Sequence, residues 1–164
     1  MSAESKAFSK GTSPSWVNWL IVTLVLGIVT FLASPNAPLG GFWGVQGERA
    51  MPSGPQRLLF TLLSVIQSLS FGLGIAFLLF GFSQASARTT ANPGLARVTQ
   101  LAIAWSLISW WPHSSFHQTL SAENISGLLA VEYAFHATLI LPGLIVMYFF
   151  VKILQPDKML SHRS

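Results

Sequence analysis

Along the chain, apolar positions collect into four long runs separated by short polar or Gly/Pro-rich stretches. About 20 mostly apolar helical residues cross the ~30 Å hydrocarbon core of a bilayer, because each residue rises 1.5 Å. By that measure the runs predict four transmembrane helices, over 16–33, 58–82, 95–111 and 128–154. The expected fold is all-α: a polytopic membrane protein with four transmembrane helices in a bundle and a short interfacial helix between spans 3 and 4. The expected organisation is a cytoplasmic tail over 1–15, a single transmembrane domain over 16–157 and a second cytoplasmic tail over 158–164. Span 3 is short and has to let Arg97 snorkel toward the headgroups. Span 4 is interrupted by Pro142-Gly143, whose proline removes one backbone donor and frees the carbonyl of Thr138.

Small and polar residues refine this picture. In lipid, helices associate through close packing of small side chains rather than through apolar burial. Ser68, Gly72 and Ala76 repeat every four residues on one face of span 2, with Ser70 and Gly74 beside them. Ser64 and Gln67 add groups that seek partners across helices. No ionisable group accompanies this strip, which favours packing over a channel lining. The first connection, 34–57, holds five glycines and four prolines in 24 residues. It reads as an ordered loop packed over the helices by Phe42 and Trp43, with a lid or partner-binding loop as the alternative.

Composition agrees with a bilayer environment. Hydrophobic residues make up 51% and charged residues 9%, against roughly 25% charged in soluble domains. The mean hydropathy is +0.56. So few charges argue against a soluble enzyme, a disordered chain or a nucleic-acid-binding domain, despite a net charge of +4. There is no cysteine, so disulfides and thiolate metal sites are excluded. Span 1 is not read as a signal peptide: its apolar stretch is 18 residues, longer than the usual ~7–15, and no A-x-A-like site follows it. With four spans, Lys6, Lys10, Arg88, Arg97, Lys152, Lys158 and Arg163 share one side, and only Arg49 and Arg57 lie opposite. That asymmetry predicts a multi-pass integral protein with both termini cytoplasmic.

The candidate chemistry lies between Trp110 and His136, a stretch with three of the four histidines and no basic residue. Pro112 suits the first position of a new helix. On that helix His113, Phe116, His117 and Leu120 share one face. Ser121 is placed to cap the next helix, with Glu123 in its first turn near the positive end of the dipole. Leu129, Glu132, Tyr133, His136 and Ile140 make a face of that second helix. Two pairs at i,i+4, His113/His117 and Glu132/His136, then offer three imidazoles and one carboxylate.

This set is a candidate first shell for a divalent transition metal: zinc, iron or copper. An open position on such a metal gives hydrolytic or redox chemistry. The pattern is neither H-E-x-x-H nor the repeated Glu-x-x-His of di-iron bundles. Haem ranks below a simple ion, because it needs a slot between helices that these rim positions do not suggest. The same four residues also read as a hydrogen-bonded network fixing how two helices meet, or as a proton relay through Glu132 and His136. Three functions follow from the sequence. The first is a metal-dependent or redox accessory protein. The second is a structural or assembly subunit of a larger membrane complex, with a metal-free cluster. The third is a small transporter or channel. The expected partners are the lipid bilayer and other membrane subunits, with no nucleic acid. The sequence assigns no substrate or catalytic residue. His162, in the tail, reads as solvated, and Asn124-Ile125-Ser126 matches a glycosylation acceptor.

Overall fold

The computed structural model describes residues 15–44, 53–89, 92–121 and 123–154. Helix α1 spans Trp16–Leu32, and a 3-10 turn, Gly40–Trp43, lies in the first connection. The chain continues through α2 (Pro55–Phe80), α3 (Phe82–Arg88), α4 (Pro93–Ile108), α5 (Trp110–Thr119) and α6 (Ile125–Glu132). A π-helical segment, Tyr133–Ala137, then leads into α7 (Thr138–Leu154).

Two helices among the described residues, not four, are long and apolar enough to cross a membrane. They are Pro55–Phe80, of 26 residues, and the continuous Ile125–Val151, of 27. They match the second and fourth apolar runs. Helix α1 is apolar but stops after 17 residues, about 25 Å of rise against the ~30 Å required. Helix α4 has 16 residues, carries Arg97 and Gln100, and ends at Ile108, so the third run is divided at Ser109 between two helices. The expected four-helix transmembrane bundle is therefore corrected to two candidate spans. The multi-pass topology with both termini cytoplasmic goes with it, because its division of basic residues between two sides depended on four crossings. Lys6, Lys10, Arg49, Lys158, His162 and Arg163 lie outside the described residues.

The helices pack as a row, α1 on α2, α2 on α4 and α4 on α7, with α5 also against α2. Small residues set these contacts. Ser68, Gly72, Gly74 and Ala76 of α2 are buried. A Cβ on Gly72 would lie 2.3 Å from the Thr23 carbonyl oxygen, so α1 and α2 meet backbone to backbone there. A Cβ on Gly74 would lie 3.0 Å from the Ile108 nitrogen, on the α4 side. The polar strip on α2 thus serves packing.

Gln100 fastens the other end of α2. It is 1% exposed, and its amide donates to the Leu78 carbonyl at 2.8 Å and to the Phe77 carbonyl at 3.2 Å. These carbonyls belong to the last turn of α2, where no further helical N–H follows to pair them all. The Gln100 oxygen accepts from Arg97 at 2.9 Å, and the Arg97 guanidinium lies 4.3 Å over the Phe82 ring. Arg97, expected to reach for headgroups, is held by these neighbours instead.

Over its described part the first connection packs through Trp43, whereas Phe42, expected to share that part, is 68% exposed. The Trp43 indole N–H donates to the Ala33 carbonyl at 2.7 Å. Its ring meets Trp111 and Phe116 of α5 edge-on, at 5.7 and 5.4 Å between centroids. Trp111 donates to the Ser34 hydroxyl at 3.0 Å, and Asn36 donates to Gln118 at 2.9 Å. These contacts tie α5 to the first connection.

Candidate functional site

Helix α5 begins at Trp110, two residues before the proline expected to open it. Pro112 is still within the first turn, where a missing N–H costs no helical bond. The amide of His113 closes that turn on the Ser109 carbonyl at 3.1 Å. Leu120, expected on the histidine face, is extended (φ −90°, ψ 139°) and stands outside the helix. The cap of α6 also differs from expectation. Asn124, not Ser121, provides it, its side-chain oxygen accepting from the Gly127 N–H at 3.0 Å. Glu123 precedes the cap and takes no place in the first turn. Asn124 of the glycosylation-like tripeptide is thus a helix cap.

The π-helical segment is the feature that a 3.6-residue period misses. Glu132 is the last residue of α6, and the i→i+5 turn of Tyr133–Ala137 inserts an extra residue. The expected face divides accordingly: Tyr133 and Ile140 are exposed, whereas Glu132 and His136 reach the cluster. Phe135 fills the junction. It stacks on Trp105 of α4 at 6.4 Å and 1°, and lies 5.3 Å from the His113 ring and 6.1 Å from that of Phe116. Sequence reasoning passed over Phe135 and Trp105, for which spacing gave no signal.

All four expected residues meet. His117 Nε2 lies 2.9 Å from Glu132 Oε1, and the other carboxylate oxygen pairs with His136 Nδ1. His113 Nε2 lies 3.0 Å from His117 Nε2. The His113 and His136 rings are 4.9 Å apart. One donor atom each from His113, His117 and Glu132 falls within 4.8 Å of the others, a set that could hold a metal ion. His136 is not among these three: it pairs with the second Glu132 oxygen and sets its ring edge-on to that of His113. The side chains of His117 and Glu132 keep 32% and 38% of their exposure, so the cluster is open to small species.

Burial lowers the pKa of His113 from its ordinary 6.5, and the neighbouring His117 and His136 push in the same direction, against Glu132. This imidazole is therefore predominantly neutral at neutral pH, with an electron pair to offer. Beside the cluster lies a cavity of about 420 Å³, lined by Leu63 and Gln67 of α2, Ser109, Trp110 and His113, and His136 and Leu139.

The site defined by the geometry is a His/His/Glu cluster between α5 and the α6–π–α7 helix, in a chain with two helices able to interact with a membrane. Comparison with family models, curated proteins and solved structures finds no match to this chain.

Proposed function

We propose that this chain is a structural or assembly protein acting at a membrane, in which the His/Glu cluster joins two helical elements. One observation carries this reading: both oxygens of Glu132 are taken by imidazoles, one from His117 of α5 and one from His136 of the π segment. A partly buried carboxylate satisfied on both sides is a junction, costly to break on one side only. The long helix beyond it supports a role in association. Only 6% of the apolar stretch in Ile125–Val151 is buried within the chain, which leaves Ile140, Leu141, Leu144, Met147 and Phe150 to lipid or to other subunits.

The test is amide exchange on full-length protein in mild detergent. Glu132→Ala is expected to raise exchange across α5 and α6 at least about tenfold, the factor for 1.4 kcal/mol, while α1 and α2 keep their protection. Unchanged exchange at α5 and α6 would refute the junction. A second reading, a metal-dependent accessory protein using zinc, iron or copper, is favoured by the same donor set, two imidazoles and a carboxylate.

A further inference from the structure

Hydrogen bonding accounts for most of the cluster and fails at one atom. His117 Nε2 lies 2.9 Å from a Glu132 oxygen and 3.0 Å from His113 Nε2. A neutral imidazole nitrogen carries either a hydrogen or an electron pair. If His117 Nε2 carries the hydrogen and gives it to the ionised carboxylate, it has no electron pair for His113. If it carries the electron pair, it accepts from His113 but turns that pair on the carboxylate, which then needs a proton of its own. That proton and the His113 hydrogen would compete for one pair. No neutral tautomer satisfies both contacts in full.

We infer that His113 Nε2, His117 Nε2 and one Glu132 oxygen form a three-donor site for a single divalent first-row transition ion. A central cation takes an electron pair from each of the three atoms, which removes the conflict. The spacings fit. Bonds near 2.1 Å place mutually adjacent ligands about 3.0 Å apart in octahedral and about 3.4 Å apart in tetrahedral geometry. Two edges of the trio are 2.9 and 3.0 Å, at the octahedral spacing, and one ligand atom from each of the three residues falls within 4.8 Å of the others. Two imidazoles and a carboxylate are the His₂Glu donor set of open zinc sites and the 2-His-1-carboxylate set of ferrous sites. Both leave positions for water.

His136 has a different part. It holds the second Glu132 oxygen and so orients the carboxylate without entering the trio. The neighbouring cavity, walled by His113 and His136, gives exchangeable ligands a way in. The site deepens the metal-dependent reading and rests on the junction only in that the same residues join α5 to α6.

The experiment uses full-length protein in detergent, stripped by chelator, then titrated separately with Zn²⁺, Co²⁺ and anaerobic Fe²⁺. The expected result is saturation at one equivalent per chain. The visible bands of the Co²⁺ form separate a four-coordinate from a six-coordinate centre. Ala at His113 or His117 weakens binding by more than about 100-fold. His136→Ala weakens it about 10- to 100-fold, the range for a partner of a ligand. His162→Ala, at the one histidine to which the inference gives no part, leaves it unchanged. Absence of saturable binding in the unsubstituted protein overturns the inference, as does His117→Ala binding within about threefold of it. Should His117→Ala fail to fold, His113→Gln, at the other imidazole of the trio, decides in its place: binding within about threefold of the unsubstituted protein overturns the ligand set. The junction reading fails separately, through unchanged exchange in metal-free Glu132→Ala.

Discussion

Gly72→Ala tests whether backbone contact between α1 and α2 organises the helices. An added Cβ would lie 2.3 Å from the Thr23 carbonyl oxygen, 3.0 Å from the Gly27 nitrogen and 3.1 Å from the Thr23 carbonyl carbon. Ordinary contact begins at 3.4 Å, so the overlap is about 1 Å, and it falls on backbone that cannot rotate away. The helices must part by a comparable distance. A gap of ~0.5–1 Å already forfeits a quarter to a half of each van der Waals contact along the interface. Overpacking of this kind costs about 1–3 kcal/mol, offset by about 0.8–1.0 kcal/mol of helix propensity gained in replacing glycine. Because the overlap is about 1 Å and falls on rigid backbone, the cost lies in the upper part of that range, about 2–3 kcal/mol, and the net expectation is a loss of about 1–2 kcal/mol. Gly143→Ala in α7 is the matched control, because a Cβ there meets nothing within 4 Å; it is expected to gain about 0.5–1 kcal/mol. Reversible unfolding in mixed micelles, followed by circular dichroism, measures both variants. Equal stabilities, or a Gly72→Ala protein as stable as the parent, would refute close backbone packing as the organising contact.

Two further predictions concern other parts of the molecule. Gln100→Leu leaves the Leu78 carbonyl without its 2.8 Å donor and Arg97 without its acceptor; a loss of about 1–3 kcal/mol is expected, read as faster amide exchange in the last turn of α2 and in α3 before any change in α1. For pH, the His113 pKa is lowered by folding, so the unfolded chain binds more protons just below 6.5. The stability contributed by neutral His113 is complete above that value and declines as pH falls toward the lowered pKa. Melting of metal-free protein from about pH 8 to about pH 5 checks it: the decline should shrink in His113→Gln, and an unaltered profile would contradict the assignment.

The sequence carried the facing of the cluster but only half of the span count, and the two outcomes have different physical origins. The apolar runs over 58–82 and 128–154 match Pro55–Phe80 and Ile125–Val151, because each holds an uninterrupted helix. The runs over 16–33 and 95–111 do not, because apolar letters continue past the point where the backbone leaves its helix. Leu32 closes α1 after 17 residues, and α4 gives way to α5 at Ser109, which is fully buried. Serine near the end of an apolar run gives no sign of that break. The helix caps show the same limit, since Ser121 and Asn124 are both good caps and only the observed loop chooses between them.

The i,i+4 spacings of His113/His117 and Glu132/His136 were legible because each pair lies on one local turn, where helical geometry alone decides the neighbours. The meeting of the two pairs was legible for a related reason: the connection between them is short, so consecutive helices must lie side by side. What spacing could not supply was the π turn. YAFHA contains neither glycine nor proline, and its own preferences would continue an α-helix. The distortion is accompanied by contacts made elsewhere, with Phe135 stacked on Trp105 and set against the rings of His113 and Phe116. Glu132 stands where the α-helical register ends, so the aromatic packing that accompanies the extra residue bears directly on the carboxylate. In this chain the site is thus set by two scales at once: local turns choose which side chains are partners, and ring packing between α4, α5 and the π segment decides how closely they converge.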